Sequence, residues 1–188
     1  MKKGILMLVT MLLMLSMCVA HAAPSIQANN VPSTDSLMIV LDENSEKIKE
    51  VVEKLQANRE AGKADVEILN EETVEAIDAL LPEGVKKEDL KATAYCQVLV
   101  YHVELATGDV KATFTFDTVY KQDQVVIPVV RLITVGPDGE EISVETVLEA
   151  AVLADGSVEM TFPIELLRSI DICNNTENGH ADLAVFSN

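Results

Sequence analysis

The sequence is poor in aromatic residues, with no tryptophan, three tyrosines and four phenylalanines among 188 residues. A carbohydrate cleft would be expected to offer aromatic platforms to the sugar rings, so this composition disfavours both a glycoside hydrolase and a typical sugar-binding module. Carboxylates that could work in pairs on a glycosidic bond are abundant. For that reason their presence singles out no catalytic pair.

Basic residues are also scarce. Fourteen lysines and arginines stand against 31 aspartates and glutamates, which gives a formal net charge of −17. A field of that sign repels phosphate backbones and anionic lipid surfaces, so nucleic-acid binding and peripheral membrane binding are disfavoured. The acidity is typical of a protein that stays soluble in crowded surroundings, and it would also attract cationic surfaces or divalent ions.

Recognisable catalytic and cofactor motifs are missing. There is no C-x-x-C, G-x-G-x-x-G, Walker or G-x-S-x-G pattern, and only three cysteines and three histidines occur. We therefore predict no cofactor and single out no catalytic residue. A candidate calcium loop runs from Asn174 to Gly179, with Asn174, Thr176 and Asn178 as its candidate ligands. An EF-hand would need a glutamate at its twelfth place, where Val185 stands, so the loop is not an EF-hand.

The beginning of the chain has the pattern of a secretory signal peptide. Met1 to Lys3 is cationic, Ile5 to Val19 is apolar, and Ala20-His21-Ala22 supplies small residues at the −3 and −1 positions. The apolar run is shorter than the roughly 20 residues that span a bilayer. We predict cleavage after Ala22. Lipidation at Cys18 is the alternative, although a lipoprotein peptidase normally requires a smaller residue than Met17 before the cysteine.

Removal of residues 1–22 would leave 166 of the 188 residues, with twelve basic against 31 acidic side chains and a net charge of −19. That length predicts about one domain. No second apolar stretch is long enough to span a membrane. The signal-peptide pattern predicts that the domain is secreted or held at the cell surface. Two cysteines remain, Cys96 and Cys173. An even pair in an exported protein is typical of a disulfide, and two buried free thiols are the alternative.

The pattern changes along the exported part. Residues 23–36 predict a flexible leader rich in Pro, Ser, Asn and Thr. Residues 37–91 predict a helical region. Within it, Asn44 or Ser45 is placed to cap a first helix that ends near Gly62. A second helix is expected between Asn70 and Pro82.

Residues 92–188 have the pattern of strands. Tyr95 to Leu105, which contains His102, is apolar on both faces and predicts a central strand. Val110 to Phe116 alternates apolar and polar residues. Val125 to Val135 is a long β-branched run, which Pro128 would confine to an edge or a bulge. Val147 to Leu153 is expected to continue the strand before it.

Several short strands separated by turn signals favour an antiparallel β-sandwich. The overall prediction is an α+β protein, in which a short N-terminal helical region precedes an Ig-like or Greek-key sandwich. Two segments carry a further resemblance: Gly108 to Phe114 reads G-D-V-K-A-T-F, and Asp155 to Phe162 reads D-G-S-V-E-M-T-F. A valine-rich strand lies between the two segments, and a final A-x-F strand follows them. Together these features make residues 92–188 resemble a β-sandwich module. Such modules lie at the C-termini of secreted and surface proteins of anaerobic Gram-positive bacteria. The resemblance implies a fold and an extracytoplasmic location, and it implies no site.

These features favour a non-catalytic binding or structural module of a bacterial cell envelope or extracellular space, monomeric, whose partner is an envelope or extracellular protein or polymer. The strand edge near Pro128 and the apolar helix faces are the expected contact surfaces. Two alternatives stay open. One is a small secreted hydrolase with carboxylates between helices and sandwich, and the other is a secreted inhibitor or peptide-binding protein that adds a strand to its partner.

Overall fold

The structure is a computed structural model that describes residues 26–27, 37–136 and 138–188. The predicted signal peptide, its cleavage site at Ala22 and the alternative lipidation site at Cys18 lie outside the described residues. So does the predicted leader, apart from Ile26 and Gln27.

The described residues form strands, α-helices and short 3₁₀ turns. The strands are β1 (Ile26–Gln27), β2 (Met38–Asp42), β3 (Lys91–Tyr101), β4 (Val110–Phe116), β5 (Val126–Val135), β6 (Glu141–Val147), β7 (Glu149–Val152), β8 (Val158–Phe162) and β9 (Gly179–Ser187). The α-helices are α1 (Lys49–Glu60), α2 (Glu71–Leu80) and α3 (Ile164–Asn174). The 3₁₀ turns are Glu46–Ile48, Asp65–Ile68, Lys87–Asp89 and Val103–Leu105. Within this part of the chain, no helix is both long and apolar enough to cross a membrane.

The strands form two antiparallel sheets. One has the order β2-β3-β9-β5-β6 and the other has the order β1-β4-β8-β7. The structure therefore confirms a mixed α+β fold with antiparallel sheets, consistent with a sandwich.

The five-stranded sheet is covered on both faces. On one face, alternate residues of β3 and β9 pack with α3 and with the aromatic side chains of the smaller sheet, where the Phe114 and Phe162 rings meet edge to face at 6.1 Å. On the other face, Tyr95, Val129 and Phe186 pack against α1, α2 and the segment between them. The helices therefore form a third layer against the larger sheet. Because neighbouring layers exclude water from both faces of the sheet, its inner strands are mostly apolar on both sides.

Strand β3 is an interior strand, hydrogen-bonded to β2 on one side and to β9 on the other. This placement agrees with the prediction of a central strand. The prediction that His102 lies in that strand is wrong. His102 adopts a left-handed conformation (φ 59°, ψ 40°) that ends β3 at Tyr101 and leads into the turn at Val103–Leu105.

The prediction that Pro128 confines its strand to an edge or a bulge is also wrong. Strand β5 pairs with both β9 and β6, and Pro128 lies opposite Val185 of β9. The β6 ladder begins only at Val129, opposite Val147, and the Pro128 carbonyl accepts a hydrogen bond from the Leu148 amide at 2.9 Å. Proline is tolerated because its missing N–H faces the side on which β6 has already ended.

Strand β6 does not continue through Leu153 as predicted. It ends at Val147, and after Leu148 the chain enters β7, which belongs to the other sheet. Leu148 is buried in the core between the sheets. Burial of this side chain stabilises the bend between β6, at the edge of the larger sheet, and β7, at the edge of the smaller one.

Candidate functional site

A row of polar residues crosses the helix-covered face of the five-stranded sheet. In the register of the strands, Asp42 lies opposite Gln97, Gln97 opposite Asp182, Asp182 opposite Arg131, and Arg131 opposite Glu145. Each strand therefore contributes one polar side chain to the same level of the sheet. Such a row is unusual in an otherwise apolar layer, because burying polar and charged groups costs free energy unless they are paired.

Arg131 is the centre of this row and is only 3% exposed. Its Nη1 donates to the Tyr95 hydroxyl at 2.6 Å and lies 3.6 Å from Asp182 Oδ2. Its Nε lies 3.3 Å from Glu145 Oε1, and its Nη2 lies 3.7 Å from Glu141 Oε1. One buried cation is thus surrounded by three carboxylates and a phenol, which we call the Arg131 cluster.

Asp182 is fully buried and accepts a hydrogen bond from the Tyr95 hydroxyl. Burial raises the pKa of Asp182 to about 7, against the opposing effects of Arg131 and of the Tyr95 hydrogen bond. Burial, reinforced by the Asp182 charge, also raises the pKa of Tyr95 above its usual range. The cluster therefore holds a proton at Asp182 close to neutral pH.

Three buried polar atoms near the cluster have no hydrogen-bond partner: Arg131 Nε, Asp182 Oδ1 and His180 Nε2. Arg131 Nε is within ion-pair distance of Glu145 but does not meet hydrogen-bond geometry. His180 precedes Asp182 by two residues on β9, and burial lowers the pKa of its imidazole, helped by the positive charges of Lys47 and Arg131. These atoms mark the least satisfied part of the interior.

Glu145 connects the cluster to the helical layer. Its side chain is 1% exposed and its Oε2 accepts a hydrogen bond from the Asn70 amide at 2.9 Å, immediately before α2 begins. A carboxylate at this position also suits the positive end of a helix dipole. The Asn70 side chain continues the connection, because its Nδ2 donates to the Ser143 carbonyl at 3.2 Å.

The cluster meets one requirement of the hydrolase alternative and lacks another. Asp182 is a carboxylate of raised pKa between helices and sheet, as a general acid would be. However, Asp182, Arg131 and Tyr95 are 0%, 3% and 7% exposed. A substrate has no access to groups buried to that extent, so this geometry favours a structural ion network over catalysis.

Cys96 and Cys173, the cysteines among the described residues, are free and buried. Cys96 faces the core between the sheets, and its Sγ lies 3.8 Å from the Leu183 carbonyl. The Cys173 thiol donates to the carbonyls of Ile133 and His180, at 3.4 and 3.3 Å. Burial raises the pKa of both thiols, which is the opposite of what an attacking thiolate needs. In the structure the two thiols are not bonded to each other.

Two of the three candidate calcium ligands make side-chain hydrogen bonds at the end of α3. Asn174 donates to the Val98 carbonyl at 2.7 Å and accepts from the Ala181 amide at 3.0 Å. Thr176 donates to the Cys173 carbonyl at 2.7 Å, at the end of the helix. Within residues 37–136 and 138–188, no three acidic, histidine or cysteine side chains are grouped to hold a metal ion. The calcium site therefore remains a prediction from the sequence.

The outer strand β6 carries the most unusual exposed surface. Ile142 and Val144 are 57% and 59% exposed, on the face opposite to Glu145. Among the described residues, β6 pairs with β5 alone. Natural edge strands are commonly protected by lysine, proline, a bulge, an inward-pointing charge or a covering helix. Strand β6 has no lysine, proline or bulge, whereas the buried Glu145 and the Asn70 hydrogen bond to the Ser143 carbonyl protect part of its edge.

The sequence carries two signals of the Arg131 cluster. Arg131 is the only charge within the apolar run Val125 to Val135, and Asp182 is the only one within the final strand. A lone charge inside a strand that is apolar on both faces indicates a buried partner, since an unpaired buried charge is too costly. Which strands would bring these two charges together depends on the pairing of β5 with β9, which no local pattern gives.

Comparison of the chain with models of protein families, with curated proteins and with solved structures found no match. The resemblance of residues 92–188 to surface modules of anaerobic Gram-positive bacteria therefore stays a prediction.

Proposed function

We propose that the protein is an exported, non-catalytic module that binds an envelope or extracellular partner through the outer edge of strand β6. The observation that carries this proposal is the exposure of Ile142 and Val144, 57% and 59%, on a strand whose outer side has no neighbouring strand among the described residues. An edge strand that exposes apolar side chains is a template for pairing with another chain. Export is supported by the signal-peptide pattern of residues 1–22.

The same proposal includes the finer fold, an Ig-like or Greek-key arrangement of residues 92–188, and a monomeric state in the absence of the partner. The two antiparallel sheets support the first, and the high negative charge, which opposes the association of like copies, supports the second.

The proposal is tested by photo-crosslinking on intact cells of the host. A photoreactive phenylalanine analogue replaces Ile142 in one variant and Val119 in a matched control, since Val119 is a 75% exposed valine of a loop. We expect a discrete adduct from position 142 and none from position 119. Absence of any adduct at 142, with both variants exported and folded, would overturn the proposal.

A further inference from the structure

The edge of β6 belongs to a segment of unusual charge. Between Arg131 and Arg168 there is no lysine, arginine or histidine, whereas eight carboxylates occur. Four of them, Asp138, Glu140, Glu141 and Glu149, are exposed and lie just before β6, at its beginning or just after it. A partner that approaches this edge therefore meets these carboxylates, one of which, Glu141, also lies 3.7 Å from Arg131 Nη2.

The hydrogen bonds of β6 show which of its backbone groups face outward. The Gly136 amide donates to the Glu140 carbonyl at 2.8 Å, and the Leu148 amide donates to the Pro128 carbonyl at 2.9 Å. In an antiparallel pair the residues alternate between the two sides. Even-numbered residues of β6 therefore bond to β5, and the amides and carbonyls of Glu141, Ser143, Glu145 and Val147 point away from the sheet.

The two faces of β6 differ in chemistry. Ile142 and Val144 are exposed on the face turned toward the other sheet. Glu141, whose side chain is 50% exposed, lies on the helix-covered face. Side chains of neighbouring strands that lie opposite each other share a face, so an added strand would place alternate residues against these two surfaces.

We infer that β6 accepts an extended protein segment that alternates apolar and basic residues, adding it as a sixth strand. This inference rests on the proposed function and names its partner by chemistry. Apolar side chains of the segment would cover Ile142 and Val144, while lysines or arginines on the other side would meet Glu141 and the carboxylates that flank the strand. A second copy of this chain is disfavoured as the occupant, because it would bring the same carboxylates together.

One of the outward-pointing backbone groups of β6 already has a hydrogen-bond partner. The Ser143 carbonyl accepts from Asn70 Nδ2 at 3.2 Å, and the Asn70 side chain makes no capping bond to α2. An added strand would compete with this amide. The variant Asn70→Ala is therefore expected to bind about threefold to tenfold more tightly, the value of one net hydrogen bond. Weaker binding by this variant would contradict addition along the outward side.

The principal test uses the purified exported chain and three peptides of about nine residues, the length of an ordinary strand. One alternates lysine and valine, the second alternates glutamate and valine, and the third has the lysines and valines in separate blocks. We expect the first to bind at least about tenfold more tightly than the others, with the Ser143, Glu145 and Val147 amides gaining protection from hydrogen exchange. Added salt should weaken binding, since the carboxylates are exposed.

Variants locate the site. The double variant Ile142→Lys with Val144→Lys should lower affinity for the alternating cationic peptide by at least about tenfold, whereas Val119→Lys, also on an exposed valine, should not. Ser143→Pro removes an outward amide without removing a bond to β5 and should have the same effect as the double variant. If the double variant binds normally, the inference is wrong whatever the behaviour of Ser143→Pro.

The failures of the two proposals are distinguishable. Equal binding of the acidic and cationic alternating peptides at β6 would overturn the charge preference and leave an edge that binds partners. No peptide binding together with an adduct at position 142 on cells would overturn the extended-segment inference alone. Self-association of the free chain that is lost in the double variant would assign the edge to a second copy and overturn the cationic partner.

Discussion

The proton held by Asp182 links a single carboxyl group to the stability of the whole chain. Burial places its pKa near 7 in the folded protein, whereas an unfolded chain would have a value near 4. Between these two pH values the folded state binds more protons than the unfolded state. Stability contributed by Asp182 is therefore fully present below about pH 4 and is lost as the pH rises through about 7.

We predict that the free energy of unfolding falls by up to about 1.4 kcal/mol per pH unit through this window because of Asp182. The variant Asp182→Asn should flatten that dependence, and Asp78→Asn, on an exposed residue of α2, should not. Urea unfolding at intervals from pH 4.5 to pH 8 measures both slopes. The lowered pKa of His180 acts in the opposite direction below about 6.5, and the comparison of variants removes its contribution. Equal slopes in Asp182→Asn and the parent chain would contradict the assignment.

Arg131 is the residue on which the other charges of the cluster depend. Its replacement by methionine would leave Glu145 and Asp182 buried without a cation, and removal of one partner from a buried ion pair costs about 3–5 kcal/mol. We predict a loss of that size in urea unfolding. Arg168→Met removes an exposed pair with Glu165 and should cost less than about 1 kcal/mol.

A triple variant separates charge from packing. Arg131→Met combined with Glu145→Gln and Asp182→Asn removes the cation together with the carboxylates buried beside it, and it should recover most of the loss. A triple variant as unstable as Arg131→Met alone would show that the cost arises from packing of the arginine stem.

At the scale of elements, an ion pair within the helical layer, Arg59 with Asp65, is hydrogen-bonded to the beginning of the large sheet. Asp65, fully buried, receives two hydrogen bonds from Arg59 Nε and one from Nη2, at 3.0, 3.1 and 2.6 Å. It also accepts from the Ala92 amide at 2.8 Å, while Arg59 donates to the Ala92 carbonyl at 3.0 Å. Helix α1, the following turn and the beginning of β3 are thereby joined by a single aspartate.

We predict that Asp65→Asn lowers the free energy of unfolding by about 1.5–3 kcal/mol, the range for hydrogen bonds to charged groups. Backbone amides of α1 should exchange with solvent faster, since local opening of the helical layer becomes easier. Glu46→Gln is the matched control, because its pair with Lys49 is exposed on both sides. Unchanged exchange in α1 would show that apolar packing alone holds the layer.

The elements also show how far the sequence predicts this fold. The alternation of apolar and polar residues in Val110 to Phe116 identifies β4, because one face of the strand is buried. The glycine at position 156 marks the turn that precedes β8. The prediction from Pro128 was wrong because the effect of a proline on strand pairing depends on where the neighbouring strand ends. The corner at Leu148 was missed because a buried leucine looks the same in a continuing strand and in one that changes sheets.

The candidate site was less predictable than the elements. The Arg131 cluster needs three strand registers that are set by long-range pairing, between β3 and β9, β9 and β5, and β5 and β6. The exposure of Ile142 and Val144 likewise depends on β6 being the outermost strand. Local periodicity gives the two faces of a strand but not its neighbours.

For the whole molecule, the dominant physical property is its charge of −17. Mutual repulsion of carboxylates opposes the compact state, and salt screens exposed charges more than buried ones. We predict that the thermal midpoint rises between low salt and about 0.5 M sodium chloride. Each 1 kcal/mol of relieved repulsion corresponds to roughly 2–4 °C at this chain length. Calorimetry at constant pH measures the change, and a falling midpoint would show that the ion pairs outweigh the repulsion.

The position of β9 has a consequence for the order of events in folding. Residues 179–187 fill the middle of the large sheet, between β3, which lies almost ninety residues earlier in the register, and β5. Without those residues, the β2–β3 pair and the β5–β6 hairpin are two separate parts of the sheet, and each has an unpaired strand edge. Closing such distant contacts is slow. We therefore expect the two parts of the large sheet to join only when β9 pairs with both of them.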